Sequence, residues 1–272
     1  MCSQGIDPEI AAAHLERRKN DMKILGVPFH VGSAEAAVER AVRNGGLIVV
    51  PAAPALKNLA QDAGYRNALA GADFAIADSA LMVFLWNLVE RRRIPKLSGL
   101  KYLRTLLKHE NFHGEGSSFW VMPTPKSAAR NVKWLRENGV ALRDEDVYLA
   151  PLYGNVIVDE ELVQRIEAQR PKHIVMAIGG GTQERVGWYL KQRLSYRPAI
   201  HCIGAAIGFL SGDQVKIPEW VDRVGLGWVW RVASEPQRYG PRYWDARHLI
   251  PLLLKYRERL PVAESWRRSP AG

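Results

Sequence analysis

The chain has 272 residues, 47% of them hydrophobic, enough to bury a full core as one α/β domain or as a domain plus an appendage. Its two cysteines, Cys2 and Cys202, lie far apart, which excludes a disulfide framework and a cysteine zinc site and fits a reducing compartment. A formal charge of +10 and a pI near 9.7 call for an anionic partner: nucleic acid, a phosphorylated substrate or an acidic membrane.

Residues 1–22 are polar and helix-like rather than basic then apolar, so an N-terminal helix over 7–20 and no signal peptide are expected. Lys23–Val27 reads as a short strand, with a turn at Pro28. Ser33 is placed to cap a helix running to about Arg43, with Glu35 in its first turn. Leu47–Val50 is a continuous apolar strand, and Pro54 suits the first turn of a helix to about Asp62. Ala72–Ala77 reads as another buried strand, and Asp78-Ser79 leads into a helix over Ala80–Glu90, followed by the run Arg91-Arg92-Arg93. That helix contains the longest apolar stretch, Ala80–Val89, about half of what a membrane span needs. Further on, helices are expected from Ser98 to Lys108, Lys126 to Glu137 and Asp159 to Gln169, and strands at Ser118–Met122 and Asp146–Ala150. An apolar run from His173 ends in Gly179-Gly180-Gly181, opens a helix to about Leu194, and is followed by a strand at Ala199–Ile203, in which Cys202 is a small buried hydrophobe.

Apolar runs of about five alternating with helices of ten to fifteen residues imply an α/β fold, Rossmann-like, with a largely parallel sheet and helices on both faces. The pattern changes after Gly212. From Lys216 onward there are eleven Lys or Arg against six Asp or Glu, and five of the nine tryptophans. Basic residues interleaved with aromatics suit a bilayer interface. They also suit single-stranded nucleic acid, but no RRM, KH or helix-turn-helix pattern accompanies them, so no nucleic-acid partner is expected. The expected organisation is an N-terminal helical extension over 1–22, the α/β core over 23–212 and a helical, basic and aromatic appendage over 213–272.

The Gly179–Gly181 corner has the grammar of a strand, a tight turn and a helix N-terminus, where backbone can approach an anion. Gln183 and Glu184 would stand in the first helical turn, within reach of a ligand on the carboxyl edge of the sheet. The same corner also occurs in α/β domains with no ligand. It is neither the spaced glycine fingerprint of a dinucleotide site nor a Walker loop. Asp78 would sit at a strand's carboxyl end, as a general base or as a helix N-cap. Asp144-Glu145-Asp146 has the DxD spelling of a nucleotide-diphosphate metal site but precedes its strand, so a solvated turn on the opposite edge is expected. His109 and His113 lack a third ligand and read as surface residues. Ser98-Gly99 and Ser211-Gly212 read as caps or turns. Arg231, Arg238 and Arg242 lie among aromatics, where a guanidinium can grip a diphosphate or face lipid phosphates.

Several of these segments together resemble the WecG/TagA/CpsF family of bacterial glycosyltransferases from about Ile24 to Trp244. They are Ile24-Leu-Gly-Val-Pro-Phe29, Ala72-Asp-Phe-Ala-Ile-Ala-Asp78, Gly179 with Gln183-Glu184, Gly204 with Phe209-Leu-Ser-Gly212, and Pro218-Glu-Trp220 through Gly225-Leu-Gly-Trp228, Arg231 and Glu235-Pro236. The resemblance implies transfer of a hexose-type sugar from a UDP-sugar to a polyprenyl-diphosphate-linked saccharide, in surface polysaccharide biosynthesis at the cytoplasmic membrane face. It implies inversion of the anomeric carbon without a metal, no cofactor, and an appendage that docks on an anionic membrane and completes the site. By position, Asp78 falls on the catalytic base. Gly179, Gln183 and Glu184 fall on the nucleotide-sugar pocket, and Arg231 and Arg238 on appendage arginines that meet the charge of the leaving UDP. The chain departs from the family at Pro51-Ala-Ala-Pro54, where Thr-x-Asn-Pro is usual, at Ser79, at Gly180-Gly181-Thr182 and at Lys101. Those departures leave two readings: a different sugar or acceptor, or a catalytically degenerate scaffold of a membrane assembly complex. A nicotinamide-dependent enzyme would need the spaced glycines and acidic ribose anchor that are missing here. Oligomeric state is open, a homo-oligomer included.

Overall fold

Eight short strands pair into one sheet: β1 (Asp21–Ile24), β2 (Val27–His30), β3 (Gly46–Val49), β4 (Phe74–Ala75), β5 (Ser118–Met122), β6 (Val147–Leu149), β7 (His173–Met176) and β8 (Ala199–Cys202). Their spatial order is β1-β2-β4-β3-β8-β7-β5-β6, and every pairing except β1 with β2 is parallel. The computed structural model describes residues 21–90, 93–213 and 227–262. The helix expected over 7–20 lies outside these residues.

The central strands are buried on both faces, and successive side chains go to opposite sides. Leu47, Val49, Ile174, Met176, Ile200 and Cys202 enter one apolar layer, with the helices Ala63–Ala70, Ala80–Glu90, Glu160–Gln169 and Thr182–Arg193. Ile48, Val50, Trp120, Met122 and Val175 enter the other, with Ala34–Asn44, Gly99–Lys108, Pro125–Glu137 and Ala206–Ser211. The fold is therefore the expected Rossmann-like α/β sandwich. The caps follow the sequence: Ser33 Oγ accepts from the Ala36 N–H, Ser98 Oγ from the Lys101 N–H, and Glu35 stands in its helix's first turn.

The chain differs from its sequence reading at the first strand. Lys23–Val27 is two strands of a hairpin, turning at Leu25 and Gly26, both at positive φ (51° and 77°). Pro28 lies inside β2, opposite Lys23. In a two-residue hairpin that pair falls between the ladder bonds to β1, so no proline N–H is missed there. The segment beginning at Pro54 is one α-turn, Ala53–Leu56, that tightens into a 3-10 turn over Lys57–Ala60. The strand expected over Ala72–Ala77 is reduced to Phe74–Ala75, although the Ile76 N–H still bonds the Val49 carbonyl.

Asp73 staples the amino edge of the sheet, accepting from the Leu47 N–H (2.8 Å), the Lys191 ammonium (2.7 Å) and Arg197. Burial alone would raise this carboxyl, but Lys191, the Leu47 N–H and Arg197 together hold it below its ordinary value. In the second layer, Tyr102 Oη meets His201 Nδ1 at 2.9 Å and His201 Nε2 meets His173 Nδ1 at 3.1 Å. Burial pushes His173 down to about 4 and His201 well below its ordinary value, so both rings are neutral at neutral pH.

Beyond Gly212 the described residues form the helices Gly227–Ser234, Pro236–Asp245 and Leu249–Tyr256, with no strand among them. Leu249 and Leu253 join the layer that holds Met82 and Trp86. Asp245 pairs with Lys57, and Arg257 with Glu90 at 3.4 Å. The Leu25 and Gly26 N–H groups donate to the Arg257 and Glu258 carbonyls. No helix among the described residues is long and apolar enough to cross a membrane.

Candidate active site

Register brings four strand ends level on the carboxyl edge: Ala75 beside Val49, Val49 beside Cys202, and Cys202 beside Met176. The residues that follow, Asp78, Pro51–Ala53, Gly204 and Gly179–Gly181, therefore emerge around one crevice, the edge where doubly wound sheets hold ligands.

Asp78 is half-buried at this edge. Its Oδ1 accepts from the Gly99 N–H at 3.0 Å, at the N-terminus of the helix Gly99–Lys108. The chain reaches this point because the Leu97 N–H bonds the Ala77 carbonyl. Asp78 is not the cap of the helix that follows it: Ser79 Oγ accepts from the Met82 N–H at 3.2 Å and fills that role. Among the described residues Asp78 Oδ2 takes no hydrogen bond, so one oxygen is held and the other has no partner there.

The glycine corner has two parts with different exposure. Gly179 and Gly180 are exposed, and a Cβ added at Gly179, Gly180 or Gly181 would meet no atom within 4 Å. Among the described residues, nothing fills that space. Gln183 and Glu184, by contrast, are only 2% and 1% exposed. Gln183 Oε1 accepts from the Gly204 N–H at 2.7 Å, while its amide donates to the Cys202 carbonyl and to Glu184 Oε1 at 3.0 Å. Glu184 Oε2 accepts from the Gly181 N–H at 2.6 Å. Glu184 is thus half of a capping box in which Gly181 has no side chain to complete the other half. The pair clamps the β7 and β8 loops together from beneath the crevice. Burial pushes Glu184 up to about 7, against its hydrogen bonds and nearby Arg185, which favour the charged form. Tyr65 and Cys202 lie in the same buried pocket, and burial raises both well above their ordinary values.

Arg185 was not evident from sequence. Its guanidinium donates to the Gly181 carbonyl at 3.2 Å and to the Asn155 carbonyl at 3.3 Å, fixing a cation beside the glycine turn. The only sequence signal is a basic residue one turn into the helix that the glycines open. Arg231 and Arg238 fall on the helices Gly227–Ser234 and Pro236–Asp245, and their side chains lie outside the described residues.

The remaining sequence candidates lie elsewhere. Asp144-Glu145-Asp146 precedes β6 on the opposite edge, where Asp144 pairs with Arg136 and both Glu145 and Asp146 pair with Arg143. Asp146 is no solvated turn residue but is buried at 1% exposure, taking the Arg143 N–H as well as its guanidinium. His113 is exposed, whereas His109 is half-buried, pairing with Glu39 and accepting from the Asn111 N–H. Among the described residues no three His, Cys, Asp or Glu side chains form a metal-holding group. A cavity of about 640 Å³ lies beside β6, at the far end of the sheet from Asp78. Its lining is alkyl side chains with two mutually paired couples of charges, Arg136 with Asp144 and Lys133 with Glu137.

The crevice therefore collects one half-free carboxylate, an open glycine turn and a fixed arginine on the ligand edge of a Rossmann-like sheet. No curated protein matches the chain. The model of the glycosyl transferase WecG/TagA/CpsF family matches residues 22–262, nearly all of the described chain. The chain belongs to this WecG/TagA/CpsF family of glycosyltransferases, which serves polysaccharide biosynthesis.

Proposed function

We propose that the protein is an inverting, metal-independent glycosyltransferase. It moves a hexose-type sugar from a UDP-sugar to a polyprenyl-diphosphate-linked saccharide at the inner face of the cytoplasmic membrane. The observation that carries this reading is Asp78 at the carboxyl edge, with Oδ1 held by Gly99 and Oδ2 without a hydrogen bond among the described residues. Oδ2 takes the proton of the acceptor hydroxyl as that oxygen bonds the anomeric carbon. The carbon's bond to the diphosphate oxygen breaks on the opposite side, UDP leaves with the electron pair, and one displacement inverts the centre.

The diphosphate rests over Gly179 and Gly180, whose outer space no described residue fills. Arg185, with Arg231 and Arg238 from an appendage over 213–272, meets the charge that grows on UDP. Fixed donors of this kind lower the barrier without reorganising. Gln183 and Glu184 act from below, holding the two loops at the separation the donor needs.

The test is release of UDP from a panel of nucleotide sugars with a lipid-diphosphate saccharide in EDTA. Asp78→Asn lowers kcat by at least about 100-fold, the usual worth of a general base, with an unchanged unfolding midpoint. A requirement for a divalent metal, or full activity in the variant, refutes the mechanism. A second reading, a donor-fold scaffold without activity, is favoured by the corner after β3, where Pro51, Ala52 and Ala53 present no polar side chain. Calorimetry with UDP- and GDP-sugars separates the two, since a scaffold binds no donor.

A further inference from the structure

The helix Ala80–Glu90, which begins two residues after Asp78, carries no charge before Glu90. Its inner side chains Met82, Val83 and Trp86 are buried with Leu249 and Leu253 of the helix packed beside it. That packing leaves Phe84 and Leu88, four residues apart, 64% and 68% exposed. The neighbouring helix likewise leaves Ile250 and Leu254 at 38% and 53%. Residues four apart share one stripe of a helix, so each helix turns an apolar pair outward. Trp244 is also exposed, with the Arg247 guanidinium 4.3 Å over its ring.

The charge around these side chains has one prevailing sign. Arg93, Arg247, Lys255, Arg257 and Arg259 are exposed, Arg257 paired with Glu90, and residues 244–262 hold four Lys or Arg against two Asp or Glu. Apolar stripes rimmed by tryptophan and cations match the boundary between anionic headgroups and acyl chains.

We infer that these two helices form a membrane-inserting face. Phe84, Leu88, Ile250 and Leu254 enter the acyl boundary of an anionic bilayer, and the surrounding cations meet its phosphates. The catalytic core, through Ala80–Glu90, thus contributes to docking alongside the appendage. Phe84 is one turn into the helix that begins two residues after Asp78, so insertion ties the base to the membrane surface. The inference rests on the lipid-linked acceptor proposed above.

The full chain is tested by co-sedimentation with phosphatidylcholine vesicles, with and without about 30% phosphatidylglycerol. Wild type binds the anionic vesicles, and binding weakens with salt. F84S/L88S binds at least ten-fold more weakly, with its unfolding midpoint and its rate on a water-soluble acceptor unchanged. L152S/V156S, which alters two exposed apolar residues of the loop after β6, binds as wild type does. If wild type binds and F84S/L88S binds equally well, this inference falls while the membrane reading stands. If wild type binds no vesicle, both fall. If F84S/L88S instead turns a wild-type dimer into a monomer without changing vesicle binding, the face belongs to a second copy of the chain and the inference is overturned.

Discussion

Replacing Glu184 by glutamine should remove a pH dependence from the stability of the whole fold. Glu184 is buried at 1% exposure and titrates at about 7, against 4.5 for an ordinary glutamate. A folded value above the unfolded one means that the stabilising contribution is fully present below pH 4.5 and is lost as pH rises through 7. At 1.36 kcal/mol per unit the whole effect is about 3 kcal/mol, of which about 2.5 kcal/mol is lost between pH 5 and pH 8. Glutamine does not titrate. Its carbonyl can keep the Gly181 N–H, but its amide faces the Gln183 amide, which must turn round at a cost of about 1 kcal/mol. The two proteins are then about equally stable at pH 5, and Glu184→Gln is more stable by about 2 kcal/mol at pH 8. Urea unfolding of both proteins across that range measures the difference. His30, His173 and His201, held neutral by burial, respond to pH in the opposite sense, but they do so in both proteins and cancel. A difference that stays flat from pH 5 to pH 8 would refute the reasoning.

Three further outcomes are expected. Gly187→Ala puts a Cβ 2.8 Å from both Cys202 Sγ and Leu47 Cδ1, so overpacking outweighs the gain in helix propensity and urea unfolding shows a loss of about 1–2 kcal/mol. Asp73→Ala strips the acceptor from the Leu47 N–H, Lys191 and Arg197 and costs about 3 kcal/mol near neutral pH. Because Asp73 is held below its ordinary value, its contribution is present above pH 3.8 and is lost as pH falls through its folded value, so the loss caused by Asp73→Ala shrinks in acid. Tyr65→Phe removes a buried hydroxyl that takes no hydrogen bond among the described residues, and calorimetry shows a melting temperature equal to or above wild type.

The strand–helix alternation is legible because the central strands are apolar runs and several of the helices between them carry their own cap, as those at Ser33 and Ser98 do. The first hairpin is not. Leu25 at φ 51° is an unusual turn residue, and Pro28 reads as a turn because sequence does not say which side of a strand needs its N–H. Asp78 was placed correctly on the carboxyl edge, but two adjacent residues could cap the next helix, and only the Ser79–Met82 bond decides between them. The inward turn of Gln183 and Glu184 was hidden for a related reason. A first-turn side chain can face ligand or core, and the partner that draws Gln183 inward, Gly204, is supplied by the next strand's loop. Neither did spacing reveal the Tyr102–His201–His173 chain, since it depends on register between β7 and β8 and on a helix about seventy residues before β7.

The bonds from Leu25 and Gly26 to Arg257 and Glu258 also constrain the order in which the protein can be built. The hairpin is among the first of these segments to leave the ribosome, yet its turn acquires its last two partners only after more than 230 further residues have been synthesised. Until then β1 and β2 form a sheet margin with an unfinished corner, and completing it closes a loop of more than 230 residues. The turn after the last described helix thus seals the place where the described fold began.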